Sequence, residues 1–272
     1  MSVGRRELLR WAVLGAALTG SGSGALFART SETELDSLTA HIRMRCDLSR
    51  ERTYWFYTGT VFGNVIGQST QAMLGVEGIS YSLLEPLADG RYRYRFTEAG
   101  YYLDPTTHTL RERVVNPFTG KSYRPQAYLS GQVNVFAPDL SVTPQLEVTP
   151  PGLEYRGSIS PLQTFANTAW SSEDLFVRLP NPSAAKDSLQ PAYRVQTSLA
   201  TFTVDRRQLL DTPRGFVDCQ MNYQTLGSWK DWMGMGTTPG MISSRLVGTK
   251  CTVEQLPEYL VDRIGADHGG FF

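Results

Sequence analysis

The stretch "GRYRYRFTEAGYYLD" (residues 90–104) alternates with a period of two. Tyr92, Tyr94 and Phe96 take one face, and Arg91, Arg93 and Arg95 take the other. Successive side chains of a strand point to opposite sides of its sheet, so this is the pattern of a half-buried antiparallel strand. Before it, "TYWFYTGTVFG" (53–63) and "QAMLGVEGISYSLLEP" (71–86) read the same way. So do "LEYRGSIS" (153–160), 192–210, 214–229 and "GMISSRLVGTKCTV" (240–253).

Between 101 and 123 two turn signals bracket a further alternating run. Asp104-Pro105 opens a turn, because proline presets φ and the aspartate can bond the backbone beyond it. "THTLRERVV" (107–115) then reads as a strand, and Asn116–Gly120 as a second turn, with Gly120 supplying positive φ. The result is a meander of strand, turn, strand, turn, strand. Residues 137–152 are proline-rich and read as an irregular excursion, "SSEDLF" (171–176) as a capped helical turn, and 181–191 as a surface loop. "ETELDSLTAHIRMR" (32–45) has an amphipathic helical period carried by Leu35, Leu38, Ile42 and Met44. Pro257 starts a second helix, "PEYLVDRIG". About ten short strands without a linker or a repeat predict an all-β fold. The expected architecture is a single-domain antiparallel β-barrel or strongly curved sheet over residues 29–272, a meander with short N- and C-terminal helices.

At the N-terminus, Arg5-Arg6-Glu7-Leu8-Leu9-Arg10 precedes a short apolar run and then small residues. This resembles a twin-arginine export signal with Leu8 in place of the commoner Phe, and residues 1–28 are assigned to it. An ordinary secretory signal and a membrane anchor are the alternatives, although the run is short beside the roughly 20 residues of a bilayer span. The expected location is periplasmic or secreted, with the twin-arginine machinery as a partner. The whole chain has 26 basic and 26 acidic residues. Without residues 1–28 it loses three arginines and one glutamate and carries a net charge of −2. Nothing in this balance points to nucleic acid. Cys46, Cys219 and Cys251 form an odd set, read either as three buried thiols or as a Cys219–Cys251 disulfide with one thiol left.

Several segments, in order, resemble the bacterial and fungal family of domain of unknown function 1838. They are "TYWFYTGTVFG", "LGVEGIS", "YYLDPTTHTLRERVVNPFTGKSY", "FVRLPNP", "WKDWMGMGTTPG" and "GTKCTVEQLPEYL". The resemblance implies a β-barrel-like fold and frequent export signals, and transfers no activity. Many members carry Asn-Asp-Pro-Val-Asn after the strand that follows "NPFTG". Here the run is Ser130–Asn134, in which Val133 and Asn134 alone match, so the family's aspartate has no counterpart.

Four groups of residues are candidates for chemistry. His108 is read as an exposed turn histidine or a proton-transfer group. Arg111 and Arg113, like the arginines of 91–95, are a solvated face or, inside a barrel, anion binders. Asp218, Gln220, Asn222 and Gln224 alternate with the core-type face of Val217, Cys219, Met221 and Tyr223. That polar stripe faces either solvent or a polar lumen. Trp229, Trp232, Met233 and Met235 cluster in a glycine-rich segment, as a satellite core or as a lid over an apolar ligand. No phosphate-binding, dinucleotide, nucleophile-elbow or zinc motif is found, so no cofactor and no metal are implied. The first expectation is a cofactor-free lyase, isomerase or hydrolase acting on a hydrophobic or aromatic small molecule in the lumen. Asp218, His108 and Tyr123 would serve acid–base roles, Arg111 and Arg113 would stabilise an anion, and Asn134, Gln220 and Asn222 would help hold the substrate. The alternatives are a non-catalytic carrier with the same cavity and an envelope interaction protein with a filled core.

Overall fold

A computed structural model describes residues 35–181 and 192–272. The long strands are β1 (Arg52–Val65), β2 (Gln71–Pro86), β3 (Tyr92–Leu103), β6 (Tyr128–Phe136), β10 (Thr168–Pro180), β11 (Tyr193–Asp205), β12 (Cys219–Gly227) and β13 (Gly240–Cys251). Shorter ones are β4 (Val114–Val115), β5 (Ser122–Tyr123), β7 (Val142–Pro144), β8 (Glu154–Ile159) and β9 (Gln163–Phe165). The main sheet runs β7-β6-β3-β2-β1-β13-β12-β11-β10-β8, with β9 alongside β10. Every pairing is antiparallel, and β1 meets β13 from Tyr54–Cys251 to Val65–Gly240. The two ends nearly close on each other. Ser141 bridges Ser158, and the Ile159 amide donates to the Leu140 carbonyl at 2.8 Å. A barrel-like meander is therefore the fold.

The period of two sets what the barrel holds. Along β3, Tyr94, Phe96, Glu98 and Tyr102 face inward, while Ala99, Tyr101 and Leu103 face out beneath helix α3 (Glu258–Asp267). The outer cluster takes Leu260 and Ile264 from α3, together with Ile79, Cys251 and Phe271. Hence β1 to β3 are covered on both faces there, by the lumen on one side and α3 on the other.

Helix α1 (Ser37–Arg45) departs from the amphipathic expectation. Asp36 caps it by accepting from the Thr39 amide at 2.9 Å, but the residues from Leu38 to Arg45, Thr39 apart, are buried. The helix sits in one end of the barrel. Leu38 and Ile42 pack with Tyr94, Phe136, Val142 and Ile159 on one wall, and Ala40 and Met44 with Trp55, Phe202 and Val204 on the other. Its polar groups are met internally. Lys250 Nζ donates to the carbonyls of Arg43 (2.9 Å) and Cys46 (3.1 Å), and Trp55 Nε1 donates to that of Arg45 (3.1 Å). The Arg43 guanidinium donates to the carbonyls of Leu209, in the short helix α2 (Arg206–Leu210), and of Asp211, Thr212 and Arg214 after it. Cations at the carbonyl end of a helix also complement its dipole.

Two local expectations are corrected. "SSEDLF" lies within β10 rather than a helical turn, because Glu173 points inward to Arg45 and its strand neighbours pair on both sides. "THTLRERVV" is mostly irregular, following a turn at Pro105–Thr107 and becoming strand at Val114–Val115. Asp104 accepts from the amides of Thr106 and Thr107, and His108 takes a positive φ of 54°. Leu110 is the one large apolar residue between 105 and 113, so a strand there would have no face to bury. A two-residue ladder, β4 with β5, is what forms around Asn116–Gly120. The loop expected at 181–191 lies, beyond Asn181, outside the described residues, as do residues 1–34. Finally, the three cysteines are buried free thiols. Cys219 packs in the core beside α1 and Cys251 beneath α3, on opposite faces of the sheet, so the pair cannot bridge.

Replacing Lys250 by methionine, which keeps the stem and removes the donor, leaves two buried helix carbonyls unpaired. Lys250→Met is expected to lower the free energy of unfolding by about 1–3 kcal/mol, measured by urea denaturation. An unchanged midpoint would mean that α1 does not rely on this side chain.

Candidate functional site

The barrel encloses a cavity of about 510 Å³. At the α1 end its wall includes Arg45, Tyr94 and Glu173. The other end is capped by the 104–123 excursion and the 228–239 segment, where Val114, Tyr123, Met233 and Met235 pack with Met73 and Ile242. The mouth lies on the side, where the lining residues Ser130, Gln132, Gln196 and Lys230 are exposed. Val61, Leu74, Val76 and Leu246 supply an apolar wall between the two ends.

Two carboxyl groups face this lumen in opposite electrostatic settings. Glu98, on β3, has no ion-pair partner among the described residues. Its Oε1 accepts from Ser130 Oγ at 2.8 Å and its Oε2 from Tyr57 Oη at 3.4 Å. Tyr57 Oη in turn lies 2.7 Å from Tyr128 Oη. Burial pushes the Glu98 carboxyl up, and those two hydrogen bonds, with the more distant Lys230 charge, only partly oppose it. Burial also raises Tyr57 and Tyr128 well above the ordinary phenol value, and Tyr102 and Tyr223 to about 12, so all four stay protonated donors. The phenols need room that two strand glycines provide. A Cβ on Gly78 would fall 2.3 Å from Tyr57 Oη, and one on Gly100 would fall 2.5 Å from Tyr128 Oη.

Glu173, on β10, is bonded to Arg45 Nη1 and lies 3.6 Å from His41 Nε2. Burial is the largest influence and would raise this carboxyl, but the Arg45 guanidinium and His41 together outweigh it and the net shift is downward. Burial lowers His41 despite Glu173, so the imidazole is neutral, with Nδ1 3.0 Å from Ser171 Oγ. Arg45 lies over the Tyr94 ring, 4.3 Å from its centroid. Among the described residues, no three His, Cys, Asp or Glu side chains form a metal-ligand set.

Of the residues singled out from sequence, Trp232 and Met233 line the cavity. Trp229 and Met235 pack in the cap behind them, and the segment is anchored rather than free. Trp229 Nε1 donates to the Thr238 carbonyl at 2.9 Å, and Asn116 Nδ2 to that of Met233 at 2.8 Å. Tyr123 is buried in the same cap, with its hydroxyl 3.4 Å from the Met73 carbonyl. Asn134 is fully buried on the inward face of β6, opposite Tyr94. The rest stand away from the lumen. Asp218, Gln220 and Asn222 are exposed on the outer face of β12, whose inner face carries Cys219, Met221 and Tyr223. His108, Arg111 and Arg113 are exposed in the excursion, where Arg113 bonds Ser122 and Arg111 lies 3.8 Å from Asp104. The polar stripe thus faces solvent, and the structure brings none of Asp218, His108, Arg111 and Arg113 to the lumen. The lumen's own ionisable groups, Arg45, Glu98, Glu173 and Lys230, were missed. Glu98 had a visible signal, because it continues the Tyr94–Phe96 face of the stretch 90–104.

The fold and site define a plugged antiparallel barrel with a tyrosine- and carboxyl-lined lumen. Residues 50–271 match the family described as "Protein of unknown function (DUF1838)", and the chain belongs to that family. No curated protein matches. A solved structure, "Crystal structure of MucB in complex with MucA(peri)", aligns over 84% of this chain and 96% of that chain at 9% identity. Its TM-score of 0.12 is too low to inform the fold or the site.

The Glu98 environment has a measurable consequence. The folded protein holds this proton more tightly than the unfolded chain. Stability therefore falls as pH rises from the ordinary carboxylate value of about 4.3 through the raised value. Glu98→Gln keeps the site neutral and removes that slope. The thermal midpoint of the variant minus that of the wild type is expected to become more positive across this window and then level off. A pH-independent difference would contradict the assignment.

Proposed function

We propose that this is an exported, cofactor-independent enzyme that takes a small, largely apolar or aromatic molecule into the barrel and acts on it by acid–base chemistry. Glu98 is the proton-transferring group, with Tyr57, Tyr128 and Ser130 as its partners. The observation that carries the reading is a carboxyl facing a ligand-sized cavity with no cation bonded to it, while Glu173 in the same lumen is held ionised by Arg45. Carboxyl groups driven apart in this way are how one site supplies a proton donor at neutral pH. When Glu98 gives up its proton, the carboxylate left behind already has two donors in place. Tyr57 can strengthen its bond because Tyr128 donates to it in turn. The aliphatic wall, Trp232 and Met233 suit an apolar body, and cavities of this size suit drug-sized molecules.

Export rests on the Arg5–Arg10 pattern, which supports a periplasmic or secreted location. A carrier is the second reading, favoured by the apolar wall alone. The envelope interaction protein requires a filled interior, and the cavity speaks against it.

The test begins with mass spectrometry of small molecules released from the folded, purified protein. Each compound found is then incubated in D₂O with wild type and with Glu98→Gln. Wild type is expected to accelerate deuterium incorporation at an acidic C–H by about a hundredfold or more over the variant, with both proteins still binding. Binding without accelerated exchange by wild type would identify a carrier.

A further inference from the structure

Among the described residues two cations line the lumen, Arg45 at the α1 end and Lys230 at the mouth. Arg45 is paired with Glu173. Lys230 has no ion pair among the described residues, and its ammonium group donates no hydrogen bond to them. Its neighbour in sequence, Asp231, is already taken, for both its carboxylate oxygens lie 2.8 Å from Arg194 Nη2. The protein around Lys230 desolvates the ammonium and lowers it from the ordinary lysine value, with Arg194 adding to the shift and Asp231 and Glu98 opposing it. The rest of the rim is uncharged. Gln132 on β6 and Gln196 on β11 line it and are exposed. Ser228, also in the lining, accepts from the Val195 amide at 3.2 Å, which leaves its own O–H to donate.

We propose that the mouth is an anion subsite, in which Lys230, helped by Ser228 and the two glutamines, receives the carboxylate of a ligand whose hydrocarbon body lies in the lumen. The surroundings narrow the class. A carboxylate carried to the closed end would meet the ionised Glu173, and Arg45 there is already engaged. At the rim the anion keeps part of its hydration and gains a charge-assisted hydrogen bond from a cation that lacks a counterion. A second negative charge would find no further cation, since Arg194 is held by Asp231. The ligand is therefore an aromatic or alicyclic monocarboxylate that enters hydrocarbon end first, against Val61, Leu74, Val76 and Trp232. The bound anion also acts on Glu98. The Lys230 charge is one of the influences that favour loss of the Glu98 proton, and a carboxylate beside Lys230 offsets it. Binding thus helps to keep the proton on Glu98. This assignment deepens the reading of the lumen as the binding site, and rests on it.

The test is titration calorimetry of the full-length folded protein at neutral pH with 2-naphthoate, its uncharged isostere 2-naphthamide and the dianion 2-naphthyl phosphate. Wild type is expected to bind the naphthoate about tenfold more tightly than the amide, and the phosphate no more tightly than the naphthoate. Lys230→Met should lose most of that preference while keeping amide affinity and thermal midpoint. Lys121→Met, which removes an exposed lysine of the 104–123 excursion, should keep the preference. Equal wild-type affinities for naphthoate and amide, an unchanged preference in Lys230→Met, an equal loss in Lys121→Met, or tightest binding of the phosphate would overturn the subsite but leave the lumen as a binding site. Failure of wild type to bind any probe would overturn both.

Discussion

The contact between Arg45 and Glu173 organises this molecule. It is the ion pair that joins a helix to the inside of a β-barrel, among neutral hydrogen bonds and apolar packing. Burying both charges is expensive, and the pair persists because geometry and neighbours compensate. Tyr94, Phe136 and Phe202 surround the guanidinium, and His41 and Ser171 extend the polar contact. The pair fixes how far and at what rotation α1 enters. Lys250, Arg43 and Trp55 then meet the backbone groups around the helix's carbonyl end. With the plug fixed, one end of the barrel is closed and the cavity acquires a floor.

From that floor the lumen's electrostatics follow. Arg45 neutralises Glu173, so no spare cation remains at the closed end to ionise Glu98. The Glu98 carboxyl, surrounded by phenols and a serine, resists losing its proton. One ion pair thus divides two glutamates into an ionised structural group and a proton-bearing functional one. The glycines at 78 and 100 belong to the same design, since they let Tyr57 and Tyr128 approach the carboxyl side of the wall.

The barrel was legible because its strands are half-polar along much of their length, and the period of two survives in residues 53–63, 71–86 and 90–104. The C-terminal helix was legible for the same reason, since one of its faces stays in water. What could not be read is everything buried on the polar side of the pattern. Glu173 sits in "SSED", which looks like a helix cap until Arg45 is known to reach it from 128 residues away in sequence. Arg45 looks like the basic end of a surface helix, and only the barrel closing around α1 makes it internal. The amides of β12 looked like lumen residues because they are uncharged, yet they face solvent, and an outward stripe need not be made of Lys and Glu. Glu98 shared a face with Tyr94 and Phe96 throughout, and a carboxyl on an aromatic face was the clue to the site.

The central claim is that α1 is pinned inside the barrel by this one ion pair. A double-mutant cycle tests it most directly, with Arg45→Met, Glu173→Leu and the double variant compared by equilibrium denaturation. Each single variant should lose about 3–5 kcal/mol by stranding its partner's charge. The double variant should recover to near wild-type stability, because neither charge is left buried alone. Losses that simply add in the double variant would contradict the account, for they would mean that the two side chains act independently and that something else seats the helix.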